Sequence, residues 1–292
     1  MKILFKILSV LFVVAVVLHS CTAPIDIKTD DAAPRLVIFG YITNQQGVHS
    51  VQISRTNGYF SADRPPVISN ASVTISYDDI VFMLQEDPFA PGTYLTDKYF
   101  QGEEGKTYTL NVVLDFDNDG TREYYRAVAT MPYATRVDSV VLQPSEKIKW
   151  LADLLLYGYV PAIQENNLAL YLIKNSEEKK LLEYFMVIPD WYFKGNDIQG
   201  YRFPCMVKDG IAVGDTITFR VASFSEDFAE FVSHAKSEAG GSNPLFGGPP
   251  ADVKSNVIPL DPDNETPIVG YFGAFPVDEK STISDRNYLS GS

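Results

Sequence analysis

Between Arg35 and Pro132 apolar side chains recur on every second residue, and this pattern constrains the fold more than any other feature. Val51 and Ile53 alternate with Gln52 and Ser54, and Val73, Ile75 and Tyr77 with Thr74 and Ser76. Tyr108, Leu110, Val112 and Leu114 alternate with Thr109, Asn111 and Val113, and Tyr124, Arg126 and Val128 follow after a turn. A period of two belongs to strands with one face in a core and the other toward water. The breaks carry turn formers: Asn57-Gly58, Pro65-Pro66, Pro91-Gly92, Gly102 to Gly105, and Asn118 to Gly120. With the short apolar run Leu36 to Phe39, this makes about seven strands in about 100 residues, the density of a β-sandwich. The expected first domain is therefore a sandwich over residues 35–132.

Residues 132–136 read as a connection, and a second β-rich region over 137–292 opens at Val137 to Leu142. Strand signals return at Leu168–Ile173, Tyr184–Ile188 and Thr216–Val221. Glu146 to Asn166 is ambiguous: Trp150, Leu151, Leu154 and Leu155 have helical spacing, but Gly158 and Pro161 interrupt it. One helix is clear, near residues 224–239. Ser223 and Glu226 have the spacing of a capping box, Phe228, Phe231 and Val232 form the apolar stripe, and Gly240-Gly241 ends it. A loop-rich tail follows, and no internal repeat is apparent. The fold class is mainly β, with one helix in the second region.

The chain opens with Lys2 and Lys6, then an apolar run from Ile7 to Leu18, then Leu18-His19-Ser20-Cys21. The run suits a signal h-region and falls short of the roughly 20 apolar residues that span a bilayer. A small residue before a cysteine, with Leu three positions upstream, resembles the bacterial lipobox. That resemblance implies a signal peptide over 1–20, cleavage before Cys21, and acylation of Cys21. The acyl chains would supply membrane affinity at about 0.8 kcal/mol per buried methylene. Residues 21–34 are then a lipidated tether, polar and containing Pro24 and Pro34.

Net charge is −13; the leader holds two lysines and no acid, so the chain from Cys21 onward carries −15. An acidic surface argues against a nucleic-acid footprint and against electrostatic docking on anionic lipid. The two cysteines are Cys21 and Cys205. An acylated Cys21 leaves Cys205 without an intramolecular partner, and its setting in Phe203-Pro204-Cys205-Met206-Val207 predicts a buried, inert thiol.

Catalytic signatures are missing from the sequence. His49 and His234 are the histidines outside the leader, and neither sits in an HExxH, GxSxG or CxxC context. No cofactor is expected, and the reading is of a non-enzyme. Asp115-Phe116-Asp117-Asn118-Asp119-Gly120 has the D-x-D-x-D-G spacing of the first half of a calcium loop. An EF-hand would place Glu where Arg126 stands, although Glu123 is nearby. The same residues suit a hairpin turn between two strands, and both readings stay open. Asn243 to Pro250 is rich in Gly and Pro but lacks the lysine of a phosphate loop. With 17 Tyr and 18 Phe, aromatic side chains are plentiful; Tyr184, Trp191, Tyr192, Phe193 and Tyr201 form a candidate surface for sugar or protein.

Several stretches together resemble the domain-of-unknown-function 4249 family of Bacteroidetes outer-membrane lipoproteins. They are Leu36 to Tyr41, Val51 to Ser54, Ile68 to Ile75, Pro91-Gly92-Thr93-Tyr94 and Gly105 to Leu110. At the end come the helix, Asn243 to Pro250, Val253 to Val257, and Gly270-Tyr271-Phe272-Gly273-Ala274. The Pro-Gly-Thr-Tyr and Gly-Lys-Thr-Tyr-Thr-Leu elements also resemble transthyretin-like sandwiches, so the first domain is expected to be of transthyretin or immunoglobulin type. The resemblance implies an outer-membrane lipoprotein associated with a TonB-dependent β-barrel receptor in nutrient capture or gating. A stand-alone adhesin or glycan- or protein-binding lipoprotein is the alternative. The resemblance supplies no reaction and no ligand, and leaves open whether the body faces the periplasm or the medium.

Overall fold

The computed structural model describes residues 34–57, 63–148, 151–163, 166–205, 207, 210–239 and 254–288. The leader, Cys21, the tether up to Ala33 and the Asn243–Pro250 segment lie outside the described residues. The described residues from Pro34 onward form one compact unit. The described part is mainly β, with eighteen strands in four sheets and one α-helix.

The first sandwich pairs two sheets. One runs β16 (Ile268–Val269), β1 (Leu36–Thr43), β2 (Ser50–Arg55), β6 (Thr93–Leu95), β5 (Gln85–Glu86), with β17 (Phe272–Phe275) also pairing β1. The other runs β15 (Ile258–Pro259), β8 (Glu123–Thr130), β7 (Thr107–Leu114), β3 (Ser72–Tyr77), β4 (Ile80–Met83). The alternating residues meet between them: Ile38, Ile53, Ile75, Leu110, Val112 and Tyr125 are all buried in one core. Burial of this apolar area, at roughly 25 cal/mol per Å², is the main force holding the two sheets together.

This sandwich is not confined to residues 35–132. Strands from the expected loop-rich tail return to it: β16 and β17 lie parallel to β1, and Val257, Phe272 and Ala274 enter its core. Gly270 makes the break between β16 and β17 possible. Its φ is +104°, and a Cβ there would stand 2.2 Å from the Ile38 carbonyl oxygen. Asn256 then fixes β17 on the side away from β1. Its amide oxygen accepts the Phe272 N–H at 2.9 Å, and its amide nitrogen donates to the carbonyls of Phe272 (2.8 Å) and Val128 (3.2 Å).

The second half is another pair of sheets, β13 (Asp197–Cys205), β10 (Ala152–Tyr159), β9 (Arg136–Pro144) against β12 (Met186–Pro189), β11 (Asn167–Lys174), β14 (Thr216–Phe224), β18 (Val277–Ile283). Leu154, Leu156, Leu168, Leu170, Phe203 and Phe219 share its core. The ambiguous stretch resolves as a strand. β10 is central in its sheet, so β9 and β13 satisfy its backbone on both sides and its leucines pack sideways into the core. β13 and β18 carried no strand signal in the sequence.

A third core joins the halves. The helix α1 (Glu226–Ala239) brings Phe228, Phe231 and Val232 against Tyr271 and Phe275, and against Phe39 and Tyr41 on the outer face of β1. Both faces of β11 and β14 are therefore covered, which explains why those strands read as apolar runs. The helix begins two residues later than its sequence signal. Ser225, not Ser223, accepts the Phe228 N–H, at 3.4 Å. Ser223 is buried and accepts the Thr135 N–H at 3.1 Å. The connection around 132–136 is accordingly an anchored segment: Ala134 and Thr135 are buried, and Ala134 N–H donates to Glu104.

Candidate functional site

β12 ends at Pro189 and passes into a 3-10 turn, Asp190–Tyr192. Asp190 is buried. Its carboxylate accepts the Asn166 N–H at 2.8 Å, its own N–H donates to the Asn166 carbonyl at 3.0 Å, and its carbonyl accepts Phe193 and Lys194. These bonds lock the turn onto the start of β11.

The turn presents Trp191 and Tyr192 to solvent, each 64% exposed, with rings stacked at 3.8 Å. Ring contacts continue inward through Phe193, Tyr201 and Phe203 to Phe219, with centroids 4.8–5.2 Å apart from Phe193 onward. The outer rings therefore stand on a rigid aromatic ladder rooted in the second core. Two large rings left in water are the kind of surface that marks a binding site.

Beside Trp191 lies a cleft of about 830 Å³ between β12 and α1. Asn167, Asp190, Trp191, Glu226, Glu230 and Ser233 supply its chemistry. Glu226 and Glu230 are exposed and one turn apart on α1, and neither carboxylate is hydrogen-bonded or ion-paired within the described residues. None of the described lining residues is basic. The wall is thus rich in acceptors and hostile to anions.

Of the five aromatic residues marked in the sequence, four come together here. Tyr184 does not: it packs edge-on to Tyr171 at 6.5 Å and lies under the Lys236 ammonium, 3.5 Å from its ring centroid. Burial lowers the Lys236 pKa. The acidic residues of the cleft were missed. Glu226 and Glu230 sit four apart on the helix, but only the partner strand shows that they face a tryptophan.

Asp115, Asp117 and Asp119 lie in the β7–β8 turn, where Asn118 and Gly120 have positive φ. Asp115 accepts the N–H groups of Asp119 (3.1 Å) and Gly120 (3.0 Å), and Asp119 accepts that of Thr121 (2.6 Å). This last bond leads the causes that lower the Asp119 pKa. The carboxylates so account for the turn by themselves. Their oxygens also lie within 4.8 Å of one another, close enough for one cation to bridge.

His49 is buried, shares a hydrogen bond with Thr43 Oγ1 at 3.0 Å and packs edge-on to Phe100 at 5.3 Å. Burial lowers its pKa, which keeps the ring neutral near pH 7. His234 is exposed on α1. Neither is among the described residues that line the cleft. Cys205 is a buried free thiol in the second core, and burial pushes its pKa up to about 12. That is the inert setting expected for it. Among the described residues, no helix is long and apolar enough to cross a membrane.

Residues 22–281 match the sequence profile of a family described as Domain of unknown function (DUF4249). No curated protein matches the chain. The match covers most of the sequence, and the chain belongs to this family.

Proposed function

From this family membership and the exposed aromatic site, we propose that the protein is a lipid-anchored, non-enzymatic envelope protein. In this reading it captures a ligand as the accessory subunit of a TonB-dependent outer-membrane transporter. The observation that carries the binding role is the Trp191–Tyr192 stack, held out in water beside a concave, acceptor-rich cleft. Anchoring is supported by the leader pattern ending at Cys21. The lipid would be the hold on the outer membrane, because the acidic body has little attraction to anionic headgroups.

The experiment is purification of the anchored protein from native membranes under mild detergent. Co-purification of a β-barrel receptor in stable stoichiometry supports the transporter role, and recovery of the protein alone ends it. The same platform would serve a stand-alone surface adhesin; that reading gains if the isolated protein binds ligand and no barrel accompanies it.

A further inference from the structure

The cleft between β12 and α1 has a chemistry that narrows its ligand. Among the described lining residues its one large flat apolar surface is Trp191, backed by Tyr192 at 3.8 Å and braced by the ring ladder below. Around that surface the polar groups are acceptors or bifunctional: the carboxylates of Glu226 and Glu230, the Asn167 amide and the Ser233 hydroxyl. A suitable ligand must bring donors, and several of them. It must also offer an apolar face to lie on an indole. Anionic ligands are disfavoured, since no described lining residue is basic and the two glutamates would repel them.

Glu226 and Glu230 strengthen this argument. Like charges at i and i+4 on a helix destabilise it. The helix dipole offsets this for Glu226 in the first turn, but its effect fades by Glu230. Neither carboxylate has a hydrogen-bond partner in the described residues. Hydroxyl donors from a ligand would form charge-assisted bonds to both, about twice as strong as neutral ones.

We propose that this cleft binds a neutral oligosaccharide, one sugar ring lying on Trp191 and its hydroxyls donating to Glu226 and Glu230. The C–H face of a pyranose meets the indole, and its rim of hydroxyls meets the acceptor wall. Asp190 is a positioning residue: its bond to Asn166 sets the angle at which Trp191 stands. The assignment rests on the reading of the protein as a ligand-capturing lipoprotein, and it names that ligand's class.

The test uses the full-length chain in detergent on an array of neutral glycans spanning the common hexose linkages, with calorimetry on the hits. Trigalacturonate and a glucosamine trisaccharide serve as the anionic and cationic probes. The chain has two tryptophans, Trp150 and Trp191. A Trp150→Phe background therefore makes Trp191 fluorescence a local reporter. The expected result is binding of at least one neutral glycan with a change in Trp191 emission, and no binding of trigalacturonate. Trp191→Ala, and separately Glu226→Ala with Glu230→Ala, should each weaken Kd by about tenfold or more. These residues are exposed, so the variants should keep the parent circular dichroism and melting curve. The proposal is overturned if no neutral glycan binds at millimolar concentration, if Trp191→Ala leaves affinity unchanged, or if the glucosamine probe alone binds. Glycan binding without a barrel partner would remove the transporter role only; a barrel partner without glycan binding would remove the cleft assignment only.

Discussion

Phe228→Ala tests whether α1 is the clamp that makes the two sandwiches one unit. Phe228 is 1% exposed and lies in the third core. Its ring contacts come from every side of the joint: Phe224 on β14 at 5.0 Å, Phe231 on α1 at 6.3 Å, Tyr271 at 5.5 Å and Phe275 on β17 at 5.4 Å. Truncating a buried phenylalanine costs about 3–5 kcal/mol, and lost aromatic pairs, at about 0.5–1.5 kcal/mol each, push toward the upper end. For a unit of this size each kcal/mol lowers Tm by about 2–4 °C, so a loss of about 6–20 °C is expected in thermal unfolding followed by circular dichroism. Trp191→Ala, also an aromatic deletion but on the surface, should stay within about 0.5 kcal/mol. A second variant gives a sharper signature. A Cβ on Gly273 would stand 2.6 Å from the Phe228 ring, so Gly273→Ala alone overpacks the joint and costs about 1–3 kcal/mol. In the Phe228→Ala background that clash is gone and the added methyl partly refills the cavity. The double variant should therefore lose less than the sum of the singles, by about 1 kcal/mol or more. Simple additivity, or a Phe228→Ala cost below about 1 kcal/mol, would refute the clamp.

Asn256→Ala removes three hydrogen bonds that pin β17 and should cost about 1–3 kcal/mol, with faster proteolytic cleavage between residues 254 and 275 as the readout. Membrane-purified protein should show no thiol reactive with Ellman's reagent when native and one in guanidinium, since Cys205 is buried and Cys21 is expected to carry lipid; two would refute acylation. Burial holds the Cys205 thiol at about 12 and the Tyr271 phenol at about 12, both above their unfolded values, so their contribution is present at neutral pH and lost as pH rises. The urea midpoint should fall from about pH 9 toward 12, starting with the cysteine; a flat profile would contradict the burial. Asp115→Ala deletes two acceptors of the β7–β8 turn and should lower stability by about 1–2 kcal/mol, equally in EDTA and in millimolar calcium. A loss seen only with calcium would make the aspartates a metal site instead.

The first sandwich was legible because its strands have one core face and one wet face, and that difference writes a period of two into Val73 to Tyr77 and Tyr108 to Leu114. The second half obeys other rules. β11 and β14 are covered on both faces, so Leu168–Ile173 shows an apolar run without alternation, and β10 carries leucines at a spacing that fits a helix as well as a strand. β18 reads Val-Asp-Glu-Lys-Ser-Thr-Ile and is recruited by pairing with β14, which no local pattern announces. The aromatic half of the candidate site was visible as a run of rings. Its acidic half was not, because Glu226 and Trp191 are brought together only when α1 crosses the sheet that holds β12.

The return of the C-terminal strands has a functional consequence. β1 starts two residues after Pro34, and it is held by β2 on one side and by β16 and β17 on the other. The residues that flank β1 on that second side follow α1 in the chain, and α1 carries Glu226 and Glu230 of the cleft on one surface and Phe228 and Phe231 of the joint on another. A load applied at Pro34 thus enters β1 and passes through the third core to the helix that lines the cleft, with no flexible hinge at 132–136, where Ala134 and Thr135 are buried and hydrogen-bonded. A chain cut after residue 132 would lack Val257, Phe272 and Ala274 from the first core, leaving β1 with an open edge. The first sandwich and the cleft-bearing half consequently stand or fall together, and the cleft keeps a fixed position relative to β1.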